Sequence, residues 1–339
     1  MRKQLTGLAS VATAAVLAAG TTAAQVTLNA SSWVPPSHLL TVAMMEFCKD
    51  VENDTSGRVK CNLLAKAPVS ATQTFDGVRD GLMDLSFTVP GYTPGRFPIS
   101  EVGEFPFLGD TSVATSVAYQ RVFDRHLRKH DEYKGVQTLG VFTHGPGQIF
   151  NTKRPITALK DLEGLKIRVG GGVVNDVAKA LGTVPMLKPA PESYELLSQG
   201  VADGLFFPKE SSLSFKLIPL IKYVTYVPGG LYNVTFVMMM NPAKYNSIPA
   251  ADRAVIDKYS GEHLARRVGA AWDGMDAKSE AAVREAKVPI EIASPAFIAE
   301  IKAKTGGLEL AWTEKVKAKG VDGAAVLADL RKEIAAYKP

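Results

Sequence analysis

The chain has 339 residues, with 39 Lys and Arg against 34 Asp and Glu, a formal charge of +5, and 2 cysteines. That length suits two domains better than one. The basic excess is mild and spread out, so nothing supports nucleic-acid binding. Beyond the N-terminus no segment offers the roughly 18 uninterrupted apolar residues that a membrane-spanning helix needs.

The N-terminus reads as an export signal. Arg2 and Lys3 precede an acid-free apolar stretch, Leu5 to Ala19, and small residues run from Thr21 to Ala24. Residues 1–24 are therefore expected to be a signal peptide cleaved after Ala24, releasing the protein into the periplasm. A retained anchor is the alternative, but the apolar stretch is short for a bilayer of about 30 Å. Cys48 lies too far downstream to take a lipid at a new N-terminus.

The elements then alternate. A strand over Gln25–Ser31 leads through Ser32, Trp33, Val34, Pro35 and Pro36 into a helix from about Ser37, with Leu39, Leu40, Ala43, Met44, Phe47 and Val51 at helical spacing. A strand over Arg58–Leu64, a helix over Ala71–Asp80 and a strand over Leu85–Val89 follow. This is the α/β pattern of a mostly parallel sheet covered by helices. Cys48 near the end of the first helix and Cys61 in the next strand are placed to form a disulfide in an oxidising compartment. The pair alone is too few ligands for zinc.

Gly81-Leu82-Met83-Asp84 is echoed by Gly200-Val201-Ala202-Asp203, each between a helix and a short apolar strand. Glycine suits the left-handed helix end and aspartate the turn before the strand. The recurrence suggests two lobes of similar design, although a common turn can also recur by chance. Val136–Asn151 and Leu231–Asn241 are strand-like runs; the first is too long for one compact sheet and is interrupted at Gly145-Pro146-Gly147. Both are expected to cross between lobes. One lobe is expected over 25–145 plus about 233–270, and the other over about 146–232 plus 271–339. One long helical stretch is expected from Asp252 to about Lys287, bent near Gly269, with a further helix behind Ser294-Pro295 and a last one over Asp322–Tyr337.

Catalytic signatures are missing. There is no nucleophile elbow, phosphate-loop lysine or zinc-protease motif. His126 and His130, four apart, are flanked by Arg125, Arg128 and Lys129 and read as a solvated basic face. Gly170-Gly171-Gly172 lacks the spacing of a dinucleotide site, and Glu104 and Asp110 have no nucleophile beside them. No enzyme activity, metal or cofactor is expected. Arg168 is the exception worth following: an arginine near the carboxyl end of the strand Leu165–Val169. Ligands of open α/β sheets sit beyond those ends, and a guanidinium grips a carboxylate through two parallel hydrogen bonds. A surface salt bridge is the plainer use of such a residue.

Taken together, Gly57-Arg58-Val59-Lys60, Gly81–Asp84, Asp161-Leu162-Glu163-Gly164-Leu165-Lys166-Ile167-Arg168-Val169, Ala180–Pro185 and Gly200–Gly204 resemble the substrate-binding proteins of TRAP (tripartite ATP-independent periplasmic) transporters, of the DctP type. The resemblance covers almost all of the chain after residue 24. It implies a two-lobed periplasmic binding protein fold with crossing hinge strands and a long C-terminal helical region. It also implies delivery of ligand to TRAP membrane permease subunits driven by an ion gradient, and a carboxylate anchor at Arg168. Members that bind sialic acid carry a second arginine where this chain has Gly147-Gln148. Many members carry Gln-Glu-Asn-Pro where this chain has Leu205-Phe206-Phe207-Pro208, so Phe207 replaces a ligand-binding Asn.

These departures point to a small monocarboxylate with an apolar or aromatic body. Burying a sugar's hydroxyls against Phe207 without partners would cost about 1–3 kcal/mol each. Arg168 is expected to hold the carboxylate, with Ser32, Gln148 or Asn233 on a neighbouring oxygen. Trp33, His38, Tyr92, Phe150, Phe206, Phe207 and Tyr232 are the expected walls. A monomer is expected. The competing readings are a receptor for a dicarboxylate or sugar acid, and a sensory protein that presents its ligand to a signalling partner.

Overall fold

The computed structural model describes residues 25–338, so the expected signal peptide lies outside the described residues, as does Pro339. Among the described residues eleven strands run in chain order: β1 (Val26–Ala30), β2 (Val59–Leu63), β3 (Leu85–Thr88), β4 (Gln137–Thr143), β5 (Gly147–Asn151), β6 (Lys166–Val169), β7 (Val184–Leu187), β8 (Gly204–Pro208), β9 (Tyr223–Tyr226), β10 (Thr235–Met240) and β11 (Ile290–Ile292). They form a 5-stranded sheet in the order β2-β1-β3-β10-β4 and a 6-stranded sheet in the order β11-β9-β5-β8-β6-β7. The fold is two-lobed α/β with crossing strands.

The repeated Gly-x-x-Asp turn does the same work in both sheets. Gly81 (φ +77°) and Gly200 (φ +69°) end their helices in the left-handed region that favours glycine. Asp84 then accepts the Asn29 amide of β1 at 2.8 Å, and Asp203 accepts the Lys166 amide of β6 at 2.9 Å. Each aspartate thus ties the start of its strand to the parallel strand beside it.

The chain changes sheets three times, the last time between β10 and β11. After β4 it passes through His144, Gly145 and Pro146 into β5, which lies antiparallel to β8 and β9. After β9 it returns through Val227–Val234 into β10, antiparallel to β3 and β4. The expected disulfide forms between Cys48 and Cys61, whose Cα atoms are 5.8 Å apart.

The expected long helix is two. Helices Ala250–Tyr259 and Glu262–Glu285 are separated at Ser260 and Gly261, the latter at φ +59°. The break is at Gly261 because this backbone geometry suits glycine; Gly269 is not a bend. A Cβ on Gly269 would lie 2.5 Å from the Cα of Val113, so this glycine lets two helices approach closely. The Glu262–Glu285 helix serves both sheets. Asp273 accepts the amides of Ser112 and Val113 at 2.6 and 3.0 Å, fixing the start of helix Ser112–Val122 on the first side. Asp276 accepts the Glu210 amide at 2.6 Å, at the start of helix Lys209–Ser214 on the second.

The C-terminal assignment needs a correction. β11 joins the second sheet, but helix Gly323–Ala336 packs on helix Ser112–Val122 of the first side. Arg121 pairs with Glu333 at 3.1 Å, and the Trp312 indole donates to the Pro98 carbonyl at 2.7 Å. The segment after residue 271 therefore does not belong wholly to the second lobe: a charged and an aromatic anchor draw its end back across. His126 Nε2 sits beside Asp329 at 2.9 Å on the same face, within hydrogen-bonding distance near the surface.

Candidate functional site: an aromatic cleft around Arg168

Alternation along β6 buries Ile167 and Val169 in the core, and Arg168 is 2 % exposed despite its charge. Its strand ends at the Gly170-Gly171-Gly172 turn, where the backbone of the second lobe meets that of the first. A Cβ on Gly171 would lie 2.2 Å from the Gly91 carbonyl oxygen, so bulk is excluded there. The Arg168 Nε donates to the Lys188 carbonyl at 2.8 Å, and its Cζ lies 4.2 Å from the centroid of the Phe207 ring. Among the described residues no carboxylate lies within 4.0 Å of its nitrogens. Burial lowers its pKa from the ordinary arginine value, partly offset by Tyr92 and Tyr232. A guanidinium still stays charged at neutral pH.

Around it is a cleft lined mainly by aromatic and apolar side chains. Strand ends supply Trp33 after β1, Tyr92 after β3, and Phe207 and Pro208 in β8. Crossing segments supply His144, Tyr232 and Val234, and β10 supplies Phe236. The helices contribute His38, Glu210, Ser211 and, from the middle of the long one, Trp272. The rings brace one another: Trp33 meets Tyr92 edge-on at 5.6 Å, and Phe207 stacks on Phe215 at 5.8 Å.

Contacts join the lobes around this cleft. The Tyr92 hydroxyl accepts the Ala190 amide at 3.0 Å. Glu104 accepts the Val173 amide at 3.0 Å while its other oxygen accepts from the Thr235 hydroxyl at 2.7 Å. A first-lobe carboxylate thereby caps the helix Val173–Ala180 of the second. Burial outweighs these donors and pushes the Glu104 carboxyl up to about 7.

His38 caps its own helix through Nδ1, which accepts the Leu40 amide at 3.2 Å. With Nδ1 accepting, the ring proton sits on Nε2, which lies 3.1 Å from Glu210 Oε1, although the two are not aligned as a hydrogen bond. Burial would raise the Glu210 carboxyl, but His38 and nearby serine hydroxyls more than offset it and hold it below the ordinary value. Burial draws the His144 imidazole down to about 4, so it is neutral at pH 7.

Arg168, Trp33, His38, Tyr92, Phe207 and Tyr232 come together in this cleft. The other expected site residues do not line it. The Ser32 hydroxyl bonds Thr41 at 2.7 Å and braces the loop after β1. Gln148 accepts the Val227 amide at 2.6 Å and clips the two crossing segments together. Phe206 is a core residue because within β8 only alternate side chains can share a face with Phe207, and Phe150, opposite Leu205 on β5, packs into the core of the second lobe. Asn233 is 1 % exposed and alternates away from Tyr232 and Val234, which do line the cleft. Sequence reasoning missed His144, Glu210, Phe236 and Trp272. His144 was visible as the residue before Gly145-Pro146-Gly147, but nothing along the chain indicates that a helix residue some 130 positions later would face it.

Comparison with known proteins agrees with this geometry. Residues 30–310 match the family described as bacterial extracellular solute-binding protein, family 7, DctP. A TRAP periplasmic solute-binding protein from Bordetella bronchiseptica, solved with (R)- and (S)-mandelate, is 44% identical with a TM-score of 0.90, covering 91% of this chain and 99% of that one. One from Rhodoferax ferrireducens, with copurified benzoate, is 31% identical with a TM-score of 0.86, covering 92% and 98%. A marine metagenome protein solved with 3-hydroxybenzoate is 33% identical with a TM-score of 0.87, covering 93% and 100%. With the family matched over most of its length and the cleft formed between two crossed lobes, this chain belongs to the DctP-type extracellular solute-binding proteins of TRAP transporters.

Proposed function

We propose that this protein captures an aromatic monocarboxylate in the periplasm and hands it to the membrane permease subunits of its transporter. The observation that carries the ligand class is Arg168: a buried cation over the Phe207 ring, in an aromatic cleft, without a protein carboxylate within ion-pair distance among the described residues. A bidentate carboxylate supplies the missing charge, and an aryl ring fits the surrounding walls. Glu210 also lines the cleft, so a second carboxylate would meet an anion, which disfavours dicarboxylates. Aromatic walls offer few partners for a sugar acid's hydroxyls. The mandelate, benzoate and 3-hydroxybenzoate held by similar proteins support the same class. Residues 1–24 act, in this reading, as the export signal.

A thermal-shift screen of carboxylates tests it. Ligand at 100 times its Kd stabilises the folded protein by about 2.7 kcal/mol. Aromatic monocarboxylates should raise the Tm and sugar acids should not; the reverse ranking would sink the ligand class. Ligand recovered unchanged after incubation is expected of a receptor, and turnover would point instead to an enzyme.

A further inference from the structure

Among the described residues, three buried polar atoms on side chains lining the cleft are left without partners: Glu210 Oε1, which lies beside His38, and two of opposite kind, His144 Nε2 and Trp272 Nε1. His144 Nδ1 faces the Gly145 carbonyl, which can only accept, so that nitrogen carries the proton. With the imidazole drawn down by burial, Nε2 is an unprotonated acceptor. It has no donor among the described residues, although His144 is 4 % exposed. Trp272 Nε1 is a donor only, on a side chain 2 % exposed, and it has no acceptor. Both side chains line the Arg168 cleft, and their ring centroids are 5.9 Å apart. They come from a crossing segment and from the long helix, so lobe architecture puts them side by side.

Buried polar groups in folded proteins are almost always paired, and a site that leaves some unpaired awaits a complementary group. A ligand carboxylate on Arg168 could accept from Trp272 but has no hydrogen to give His144. An aromatic ring by itself satisfies neither. A hydroxyl both donates and accepts, and so can serve the two atoms together.

We infer that His144 and Trp272 form a hydroxyl-reading subsite, and that the preferred ligand is an aromatic acid carrying a hydroxyl on its side chain or ring. The inference rests on the aromatic-acid reading above and adds the group that discriminates among such acids. His144 Nε2 accepts the hydroxyl proton while Trp272 Nε1 donates to its oxygen. A site of this kind discriminates more strongly than an apolar wall, because an analogue without the hydroxyl leaves both buried atoms unpaired.

Calorimetric titration of the purified protein with matched pairs tests it: mandelate against phenylacetate, and 3- and 4-hydroxybenzoate against benzoate. In at least one pair the hydroxylated acid should bind tenfold tighter or more, on the order of the factor one good hydrogen bond gives. In His144→Phe that ratio should fall below about threefold, and Trp272→Phe should lower it too. Should either variant fail to fold, ¹⁵N spectra of the unaltered protein give the same reading. The His144 Nε2 resonance should move upfield on adding the hydroxylated acid and stay in place with its partner; no movement overturns the assignment. Equal affinities within every pair, or a ratio that persists in folded His144→Phe, also overturn it, with water then bridging the two atoms, and leave the aromatic-acid reading standing. Binding of neither member of any pair overturns that reading and this inference with it.

Discussion

The Arg168 guanidinium lies face-on to Phe207, its Cζ 4.2 Å from the ring centroid, inside a cleft that holds it 2 % exposed. The ring holds the planar fork at one orientation, and planarity matters for gripping a carboxylate with two bonds. Arg168→Lys keeps a positive charge but presents a single point, so affinity should fall at least tenfold by calorimetry. Arg168→Ala should abolish detectable binding with little change in the unliganded melt. Phe207→Leu should cost about 1 kcal/mol of binding through the lost cation–π contact. Full affinity in Arg168→Lys would remove the bidentate role.

Tyr92 and Ala190 meet across the lobes through one hydrogen bond of 3.0 Å. Tyr92→Phe leaves the Ala190 amide without that acceptor, which should weaken the closed form by about 1 kcal/mol. The effect should be seen as faster ligand release in stopped-flow traces, with association little changed. An unaltered release rate would show that the bond does not hold the lobes together.

Glu104 sets a pH dependence. Burial raises its folded-state pKa to about 7 from an ordinary 4.5, so between those values the folded protein binds more protons than the unfolded chain. Its contribution is full below about pH 4.5 and is lost as the pH rises through 7, about 3 kcal/mol in all. Asp276, raised by burial to about 8, acts in the same sense; His144, lowered to about 4, acts oppositely and loses its contribution as the pH falls below 6.5. Urea unfolding at pH 5, 6.5 and 8 should therefore give a less steep decline in Glu104→Gln than in the unaltered protein. Parallel curves would contradict the assignment.

The Cys48–Cys61 bridge joins the first helix to the strand after it, with a sequence separation of 13. Closing a loop of that size should contribute about 2–3 kcal/mol. Reduction, or replacement of both cysteines by alanine, should lower the free energy of urea unfolding by that amount while ligand affinity stays the same, because neither sulfur lines the cleft.

The chain by itself determined what depends on local chemistry. Gly81 and Gly200 punctuate helix ends because only glycine sits comfortably at positive φ, and the aspartates three residues on announce the strand that follows. The apolar run on either side of Gly145-Pro146-Gly147 is legible as a sheet-to-sheet crossing because a single strand of that length would outrun a compact sheet. Arg168 stood out because a buried-looking strand has little structural use for a charge. Gly269 was misleading: a glycine inside a helical pattern can mean a bend or a close neighbour, and only Val113 on another helix decides between them.

Tertiary structure alone decided which side chains share the cleft. Ser32, Phe206 and Asn233 are adjacent in sequence to lining residues yet face away from the cleft, since one step along an extended chain reverses the side chain's direction, while Gln148 and Phe150 on β5 are taken up by a clip between crossing segments and by the core. His144, Glu210, Phe236 and Trp272 come from four separate segments and meet only because the long helix and the crossing strands pass the same point. Charge and aromatic content can be counted along a chain. Which buried donor is left facing which acceptor is a property of packing, and here that pairing bears on which carboxylate the protein prefers.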